Sequence, residues 1–253
     1  MNSLAISIDV NKLLGGGSRS TRYRRLKKYI EEGVVYKENS VYKINIFSPI
    51  VWRREYESRE YEYTVYKAIN IVDGIATGVR VASSNTPNPY SDLPIYEVYI
   101  PVERADLFAA VIGLDSRLQV YPDTRILYKT GFRKPVIIAY PLNRKVYYEE
   151  ARTPYGFYIR EAILEQALID MLRGDFWFYE GYVFEIYYYI RQYIDPYKLL
   201  SIAKNMGLVE RLYTLEFIVA DYIREKPLFD IKPSSLVKVN LLKVVGKLGD
   251  VVD

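Results

Sequence analysis

The chain has 253 residues, with 35 Lys and Arg against 31 Asp and Glu, which gives a formal net charge of +4. This length suffices for one large domain or for two to three small ones. Cysteine and histidine are both absent, which excludes disulfides, zinc–thiolate sites, Ser-His-Asp triads and histidine general bases. No other catalytic constellation is present, so we expect no enzyme activity, no metal and no cofactor.

The positive charge is concentrated at the start of the chain. Residues 1–45 hold nine Lys or Arg against four acidic residues, whereas the rest of the chain has a net charge of −1. Charge confined to one small segment is more informative than a modest overall excess, because it marks a possible surface for a polyanion. A solvated helix face is the alternative explanation.

Two helices are predicted in this basic segment. The first spans residues 9–14 with Asp9 as N-cap, and the three glycines at 15–17 end it. Ser18 then caps a second helix that runs to about Glu32. The apolar residues of the second helix are Tyr23, Leu26, Tyr29 and Ile30. They recur at helical spacing, so we expect them to face inward.

A β-hairpin is predicted directly after the second helix. Its strands are residues 34–36 and 41–44, and residues 37–40 form the turn. A short helix, a turn, a basic helix and a hairpin follow one another in the order of a winged helix-turn-helix domain. Such a domain needs one more helix, and we expect it to be missing, replaced by a strand over residues 4–8, or supplied from elsewhere in the fold or by a partner chain.

This interpretation gives the basic residues a role in binding double-stranded DNA. A helix fits the major groove with its N-terminal side chains at the base edges, while flanking cations neutralise phosphates. The predicted DNA-binding residues on the second helix are Ser18, Arg19, Ser20, Thr21, Arg22, Arg24, Arg25, Lys27 and Lys28, and those on the hairpin are Lys37, Asn39 and Lys43. RNA is the alternative ligand, because tyrosine and arginine together also suit base stacking.

The segment Gly15-Gly16-Gly17-Ser18 also resembles the glycine–serine element of nucleotidyltransferases. That chemistry needs carboxylates for magnesium on a following strand. Only Glu31, Glu32 and Glu38 follow closely, and no Asp-x-Asp pair is present. We therefore favour the DNA-binding interpretation of this segment.

The middle region, residues 46–150, is predicted to be α+β. Helices are expected over residues 61–72 and 102–113, and the segment 83–94 is expected to be a loop. Strands are expected at 79–82, 96–100, 117–121, 125–128 and 136–139. The four glutamates Glu55, Glu57, Glu60 and Glu62 are interpreted as a solvated face rather than a metal site.

The last region, residues 151–253, is predicted to be helical. Helices are expected over residues 159–173, 176–193, 196–207 and 208–224, followed by a β-prone stretch at 236–245. Glu161 and Glu165 would then lie one turn apart and face solvent. The tyrosine-rich helix 176–193 is aromatic nearly all round, so we expect a subunit contact and a homo-oligomer.

Two segments of this region resemble one known family. They are the predicted helix Tyr158–Leu172 and the stretch Ile194–Gly207, in which an Asp begins a helix that ends at Gly. Both are similar to AbiEi-type antitoxins, which are transcriptional regulators paired with nucleotidyltransferase-like toxins. The resemblance covers residues 10–225 and implies DNA binding by the first domain and a partner-directed role for the rest.

The sequence therefore predicts three domains, at residues 1–45, 46–150 and 151–253, in an α+β protein with an N-terminal winged helix-turn-helix. We expect a DNA-binding regulator in the cytoplasm, because no secretory signal is visible and no apolar stretch is long enough to span a membrane. The alternative from another class is an interaction protein that neutralises or scaffolds a partner, with the basic helix incidental.

Overall fold

The computed structural model describes residues 9–57, 59–87, 89–90, 93–130 and 134–249. Over these residues the protein is α+β, as predicted. The helices are α1 (Val10–Leu14), α2 (Arg19–Glu31), α3 (Pro49–Glu57), α4 (Tyr61–Ile71), α5 (Val79–Ser83), α6 (Ala105–Ile112), α7 (Leu127–Thr130), α8 (Leu164–Met171), α9 (Asp175–Tyr179), α10 (Tyr182–Ile190), α11 (Pro196–Met206), α12 (Val209–Ile223) and α13 (Leu241–Gly249). The strands are β1 (Val35–Glu38), β2 (Val41–Ile44), β3 (Ile75–Thr77), β4 (Ile95–Ile100), β5 (Gln119–Tyr121), β6 (Val136–Pro141), β7 (Tyr148–Arg152) and β8 (Tyr158–Ala162).

The N-terminal unit, residues 9–57, has its own small apolar core. Helices α1 and α2 are followed by the antiparallel hairpin β1–β2, whose register pairs Val35 with Ile44. The buried members of this core are Leu13, Leu14, Tyr29, Val34, Val35 and Val51. Val51 belongs to α3, so the helix after the hairpin completes the core. The predicted strand over residues 4–8 lies outside the described residues.

Helix α3 also joins this unit to the rest of the chain. Val51 points into the N-terminal core, whereas Tyr56, one and a half turns later, belongs to the core beneath the large sheet. Arg54 donates a hydrogen bond to the carbonyl oxygen of Leu13 at 3.3 Å and stacks on the ring of Tyr29. Helix α3 contributes to the N-terminal core, but the predicted domain boundary at residue 45 places α3 in the next domain.

The large sheet has six strands in the order β5–β6–β4–β3–β8–β7. Strands β5, β6 and β4 run parallel to one another, β3 runs antiparallel to β4, β8 runs parallel to β3, and β7 runs antiparallel to β8. Alternate residues along each strand face opposite sides. One face packs on α4 and α6, and the other packs on α5, α8 and the C-terminal helices.

Two predicted strands of the middle region are wrong. Residues 79–82 form the helix α5, because Gly78, at φ +75°, turns the chain out of β3 and Glu97 accepts a hydrogen bond from the Val79 N–H at 3.0 Å. Residues 125–128 lie in a 3-10 turn and the start of α7, and Asp123 caps this turn by accepting from the Arg125 N–H. In both segments, a helical turn whose first N–H groups are bound by a carboxylate forms where a strand was predicted.

The predicted helix 159–173 is wrong in its first part. Residues 158–162 form β8, which pairs with both β3 and β7, and only Leu164–Met171 is helical. Glu161 therefore lies on a strand, so it is not one turn from Glu165. The sheet also continues through β7, which contains the predicted domain boundary at residue 150.

The predicted helix 176–193 consists of two helices, α9 and α10, with Gly181 between them at φ +91°. Their aromatic side chains are largely buried within this chain, since Trp177, Phe184 and Tyr187 are fully buried against the other C-terminal helices. Other helices of the same chain therefore cover the aromatic side chains of α9 and α10, and their burial gives no support to a subunit contact. The predicted β-prone stretch 236–245 is also wrong, because it contains no strand and ends in α13.

The glutamate cluster of the middle region is only partly a solvated face. Glu55 is buried and pairs with Arg59 at 3.1 Å, and Glu62 is half-buried and pairs with Arg80. Glu57 and Glu60 are exposed, as expected.

Among the described residues, no helix combines the length and the apolar character that crossing a bilayer requires.

Candidate nucleic-acid interface

Ser18 caps the N-terminus of α2, as the sequence predicts. The Ser18 hydroxyl accepts a hydrogen bond from the Thr21 N–H at 3.2 Å, which satisfies one of the free amides at the start of the helix. The Ser20 and Thr21 hydroxyls lie 2.9 and 3.0 Å from the same oxygen. These three hydroxyls therefore form one hydrogen-bonded group on the first turn.

All twelve predicted DNA-binding residues are described, and all are exposed except Thr21, which is half-buried. They do not, however, share one face. The helix turns its buried side, carrying Tyr29, toward α1 and α3, and the cations are distributed around the remaining circumference. The sequence does not separate cations that are free from cations that hold the fold together.

Arg22 and Arg25 are exposed, but they lie on the side of α2 that is next to α1 and the glycine turn. Arg25 donates to the carbonyl oxygens of Leu14 and Gly16 at 2.7 and 2.8 Å, and Arg22 donates to the side-chain oxygen of Asn11 at 3.1 Å. These contacts satisfy carbonyl groups at the end of α1 and in the glycine turn. Both arginines therefore have structural partners, which the prediction of phosphate contacts did not foresee.

Arg24 and Lys27 lie on the opposite face of α2 and have no such partners. The described residues give neither side chain a hydrogen bond or an ion pair. Ser20, Arg24 and Lys27 follow one another at helical spacing, so they form a single row along the helix. We call these three residues the outer row. Arg19 lies at the start of the helix and is also exposed, whereas Lys28 pairs with Glu32 at 3.6 Å.

The hairpin side chains are partly engaged with each other. Lys43 pairs with Glu38 across the two strands, and this hydrogen bond raises the pKa of Lys43. The Lys37 ammonium lies 5.9 Å from the centre of the Tyr42 ring. Asn39 has a φ of +48° and occupies the tight turn at the hairpin tip. The hairpin thus projects a polar tip, and Lys43 has a competing partner.

The predicted inward stripe of α2 is wrong at two of its four positions. Tyr29 is buried and Leu26 is half-buried, but Tyr23 is 68% exposed and Ile30 is 42% exposed. Tyr23 lies one turn from both Arg19 and Lys27, so an exposed aromatic ring lies among the cations of α2. Phe47, just after the hairpin, is 86% exposed. These rings provide flat apolar surface on the same unit.

The glycine–serine turn gains no support as a metal site. Within the described ranges, no group of three or more acidic side chains is arranged to hold a metal ion. In the structure, the Gly16 carbonyl oxygen of this turn accepts a hydrogen bond from Arg25.

The two segments that resemble AbiEi-type antitoxins differ in how well the structure matches their predicted helices. Ile194–Gly207 contains α11, which Asp195 caps and Gly207 ends. Tyr158–Leu172 is only half helical, because its first part forms β8.

Comparison of the chain with protein-family models, with curated proteins and with solved structures gave no match. The geometry of the N-terminal unit is therefore the basis on which a function is proposed.

Proposed function

We propose that the protein is a DNA-binding transcriptional regulator whose N-terminal unit is a winged helix and whose α2 enters the major groove. The outer row of α2 carries this proposal. Arg24 and Lys27 are cations without partners among the described residues, on a helix whose opposite side is fixed by a core. A helix of this kind presents its free cations to a phosphate backbone and its first turn to base edges.

Helix α3 supports the winged-helix proposal, because it packs as a third helix against the core formed by α1, α2 and the hairpin. Its Val51 is fully buried with Leu13 and Tyr29. The helix follows the hairpin in the chain instead of preceding α1. The packing of three helices and a hairpin around one core is the arrangement that holds a recognition helix rigid.

RNA is the second candidate ligand, and the exposed ring of Tyr23 favours it. Base stacking on an aromatic side chain flanked by arginine and lysine is typical of single-strand binding. Duplex DNA is preferred because Arg24 and Lys27 lie on one straight helix face, which matches a groove better than a chain of unstacked bases. Assembly as a homo-oligomer and pairing with a nucleotidyltransferase-like toxin are further parts of the proposal, the second of which depends on the family resemblance alone.

The experiment is a fluorescence-anisotropy titration of the full chain against a short DNA duplex, its single strand and the matching RNA, at several salt concentrations. Replacing both cations, Arg24→Ala with Lys27→Ala, should weaken duplex binding and lower the magnitude of the log–log salt slope by roughly 1.8, since each lost phosphate contact contributes about 0.9. The double variant Lys204→Ala with Lys238→Ala, at two exposed positions of the C-terminal region, removes the same number of charges and is the control for net charge.

Equal affinity and equal salt slope in the α2 double variant and in this control double variant would contradict the proposal. If the protein binds RNA more tightly than the duplex and Tyr23→Ala removes this preference, RNA is the ligand of the N-terminal unit instead of DNA. Light scattering of the same samples measures the assembly state, and a monomer both free and on DNA would contradict the oligomer.

A further inference from the structure

A cavity of about 210 Å³ opens beside the large sheet, far along the chain from α2. It lies at the edge of the sheet where β3 and β8 end and β4 begins, and residues of α4 and α5 complete its lining. Its walls are mostly apolar or aromatic, and they include the rings of Tyr66 and Tyr96 and the side chain of Val81. A concave apolar site with a few polar groups is the usual form of a small-molecule site.

Two of the charged groups in this cavity are fully engaged by the protein. Arg80 pairs with Glu62, donates to the carbonyl oxygen of Leu93 at 3.0 Å and stacks on the Tyr96 ring at 4.5 Å. Glu97 is fully buried and accepts hydrogen bonds from the Val79 N–H at 3.0 Å and the Tyr140 hydroxyl at 2.9 Å. Neither group is available to a ligand without breaking an existing contact.

Glu161 is different, because the described residues give it no hydrogen bond and no ion pair. It is half-buried on β8, lines the cavity, and lies beside Ala76 of β3. On its other side it lies directly opposite Glu149 of β7. Two like charges facing each other across a strand pair destabilise the sheet, and burial together with Glu149 raises the pKa of Glu161.

We propose that this cavity binds a small organic cation, with its ammonium group on Glu161 and its apolar body against Tyr66 and Val81. A half-buried carboxylate without a partner is stabilised by a charged hydrogen-bond donor, and tyrosine rings favour a cation nearby. Arg80 does not oppose such a ligand, because Glu62 neutralises it. The inference is independent of the proposed DNA binding.

Three probes of similar size test the charge requirement: benzylamine, benzyl alcohol and benzoate. Each is titrated into the full chain by calorimetry at neutral pH, with ligand-observed nuclear magnetic resonance as a second readout. We expect benzylamine to bind roughly tenfold more tightly than benzyl alcohol, because it gains one charge-assisted hydrogen bond. Benzoate should not bind detectably.

Glu161→Gln should reduce the preference for benzylamine over benzyl alcohol to less than about twofold, because the carboxylate is the source of the preference. Glu150→Gln, on the exposed neighbouring strand β7, is the matched control and should keep the preference. Ser84→Trp, at the exposed rim, should weaken both probes by covering the opening without altering any charge.

Three outcomes would overturn the proposal. Benzyl alcohol or benzoate could bind as tightly as benzylamine, Glu161→Gln could retain the preference, or Glu150→Gln could lose it to the same extent. Circular dichroism of each variant confirms that the comparison is made between folded proteins.

Discussion

Arg25 of α2 binds the carbonyl oxygen of Leu14 at the end of α1, at 2.7 Å, through the same nitrogen that reaches Gly16 at 2.8 Å. A residue in the most basic part of the sequence thus fixes the turn between two helices. A guanidinium can satisfy carbonyl groups that the end of a helix leaves without partners. This contact divides the arginines of α2 into a structural set and a free set.

The first prediction concerns this division. Arg25→Ala should lower the stability of the N-terminal unit by about 1 kcal/mol, because charge-assisted hydrogen bonds to two carbonyl groups are lost. Arg24→Ala, its neighbour on the free face, should change stability by less than about 0.5 kcal/mol. Amide hydrogen exchange of α2 measures both. Equal protection in the two variants would show that the contact of Arg25 with Leu14 contributes nothing.

The second prediction concerns α3 as a member of the N-terminal core. Val51 is fully buried there, so Val51→Ala should destabilise the unit by roughly 2 kcal/mol. Val245→Ala, on the exposed side of α13, is the control and should have little effect. A fragment of residues 1–45 should then fail to fold, while a fragment of residues 1–57 should show cooperative thermal unfolding. If the fragment of residues 1–45 folds, the N-terminal unit does not need α3.

The third prediction concerns pH. Burial raises the pKa of Glu97 to about 7 from its ordinary value of 4.5, and raises the pKa of Asp170 to about 6 from its ordinary value of 3.8. The folded protein therefore holds these protons more tightly than the unfolded chain does. Their contribution to stability is complete below pH 4 and is lost as the pH rises to about 7. For Glu97 alone, this loss is on the order of 3 kcal/mol.

Glu97→Gln should flatten this part of the pH profile and should be more stable than the parent at pH 8. The amide can accept from the Val79 N–H and donate to the Tyr140 hydroxyl oxygen, so both existing contacts have a replacement. Urea unfolding at pH 5 and pH 8 provides the measurement. A parent protein that gains stability between these pH values would contradict the sign of the prediction.

The fourth prediction concerns Gly78, which connects β3 to α5. A Cβ atom added there would lie 1.8 Å from Oε2 of Glu97, and φ is +75°. Gly78→Ala should therefore cost at least about 3 kcal/mol, because Glu97 must move and the backbone is strained. Gly246→Ala, inside α13 with open space around it, should stabilise by about 0.5–1 kcal/mol. Thermal unfolding of the two variants should show opposite shifts.

Elements with local signals were predicted well from the sequence. The caps Ser18 and Asp195 begin helices where expected, because a short side chain oxygen satisfies amides two or three residues later. Gly207 ends α11 with a left-handed backbone, as its position after an apolar periodic stretch indicated. The hairpin β1–β2 also forms where alternation and turn residues placed it. Each of these signals lies within a few residues of the element that it specifies.

Elements that depend on distant partners were predicted poorly. The apolar stretch around Ile159 suits a helix or a strand equally, and it becomes β8 because β3 and β7 lie on either side of it. Val79 begins a helix because Glu97, eighteen residues later, caps it. Among the candidate DNA-binding residues, the cluster of cations is visible in the sequence, but the partners of Arg22 and Arg25 are not.

The sequence by itself therefore determined the α+β composition, the position of the basic helix and the absence of cysteine and histidine chemistry. These properties depend on residue type and on contacts between near neighbours in the chain. Only the tertiary structure decided that α3 closes the N-terminal core, that Glu161 faces a cavity and that Arg24 and Lys27, unlike Arg22 and Arg25, have no partner among the described residues. Such outcomes depend on which distant segments pack together, and that is set by the burial of apolar surface over the whole chain.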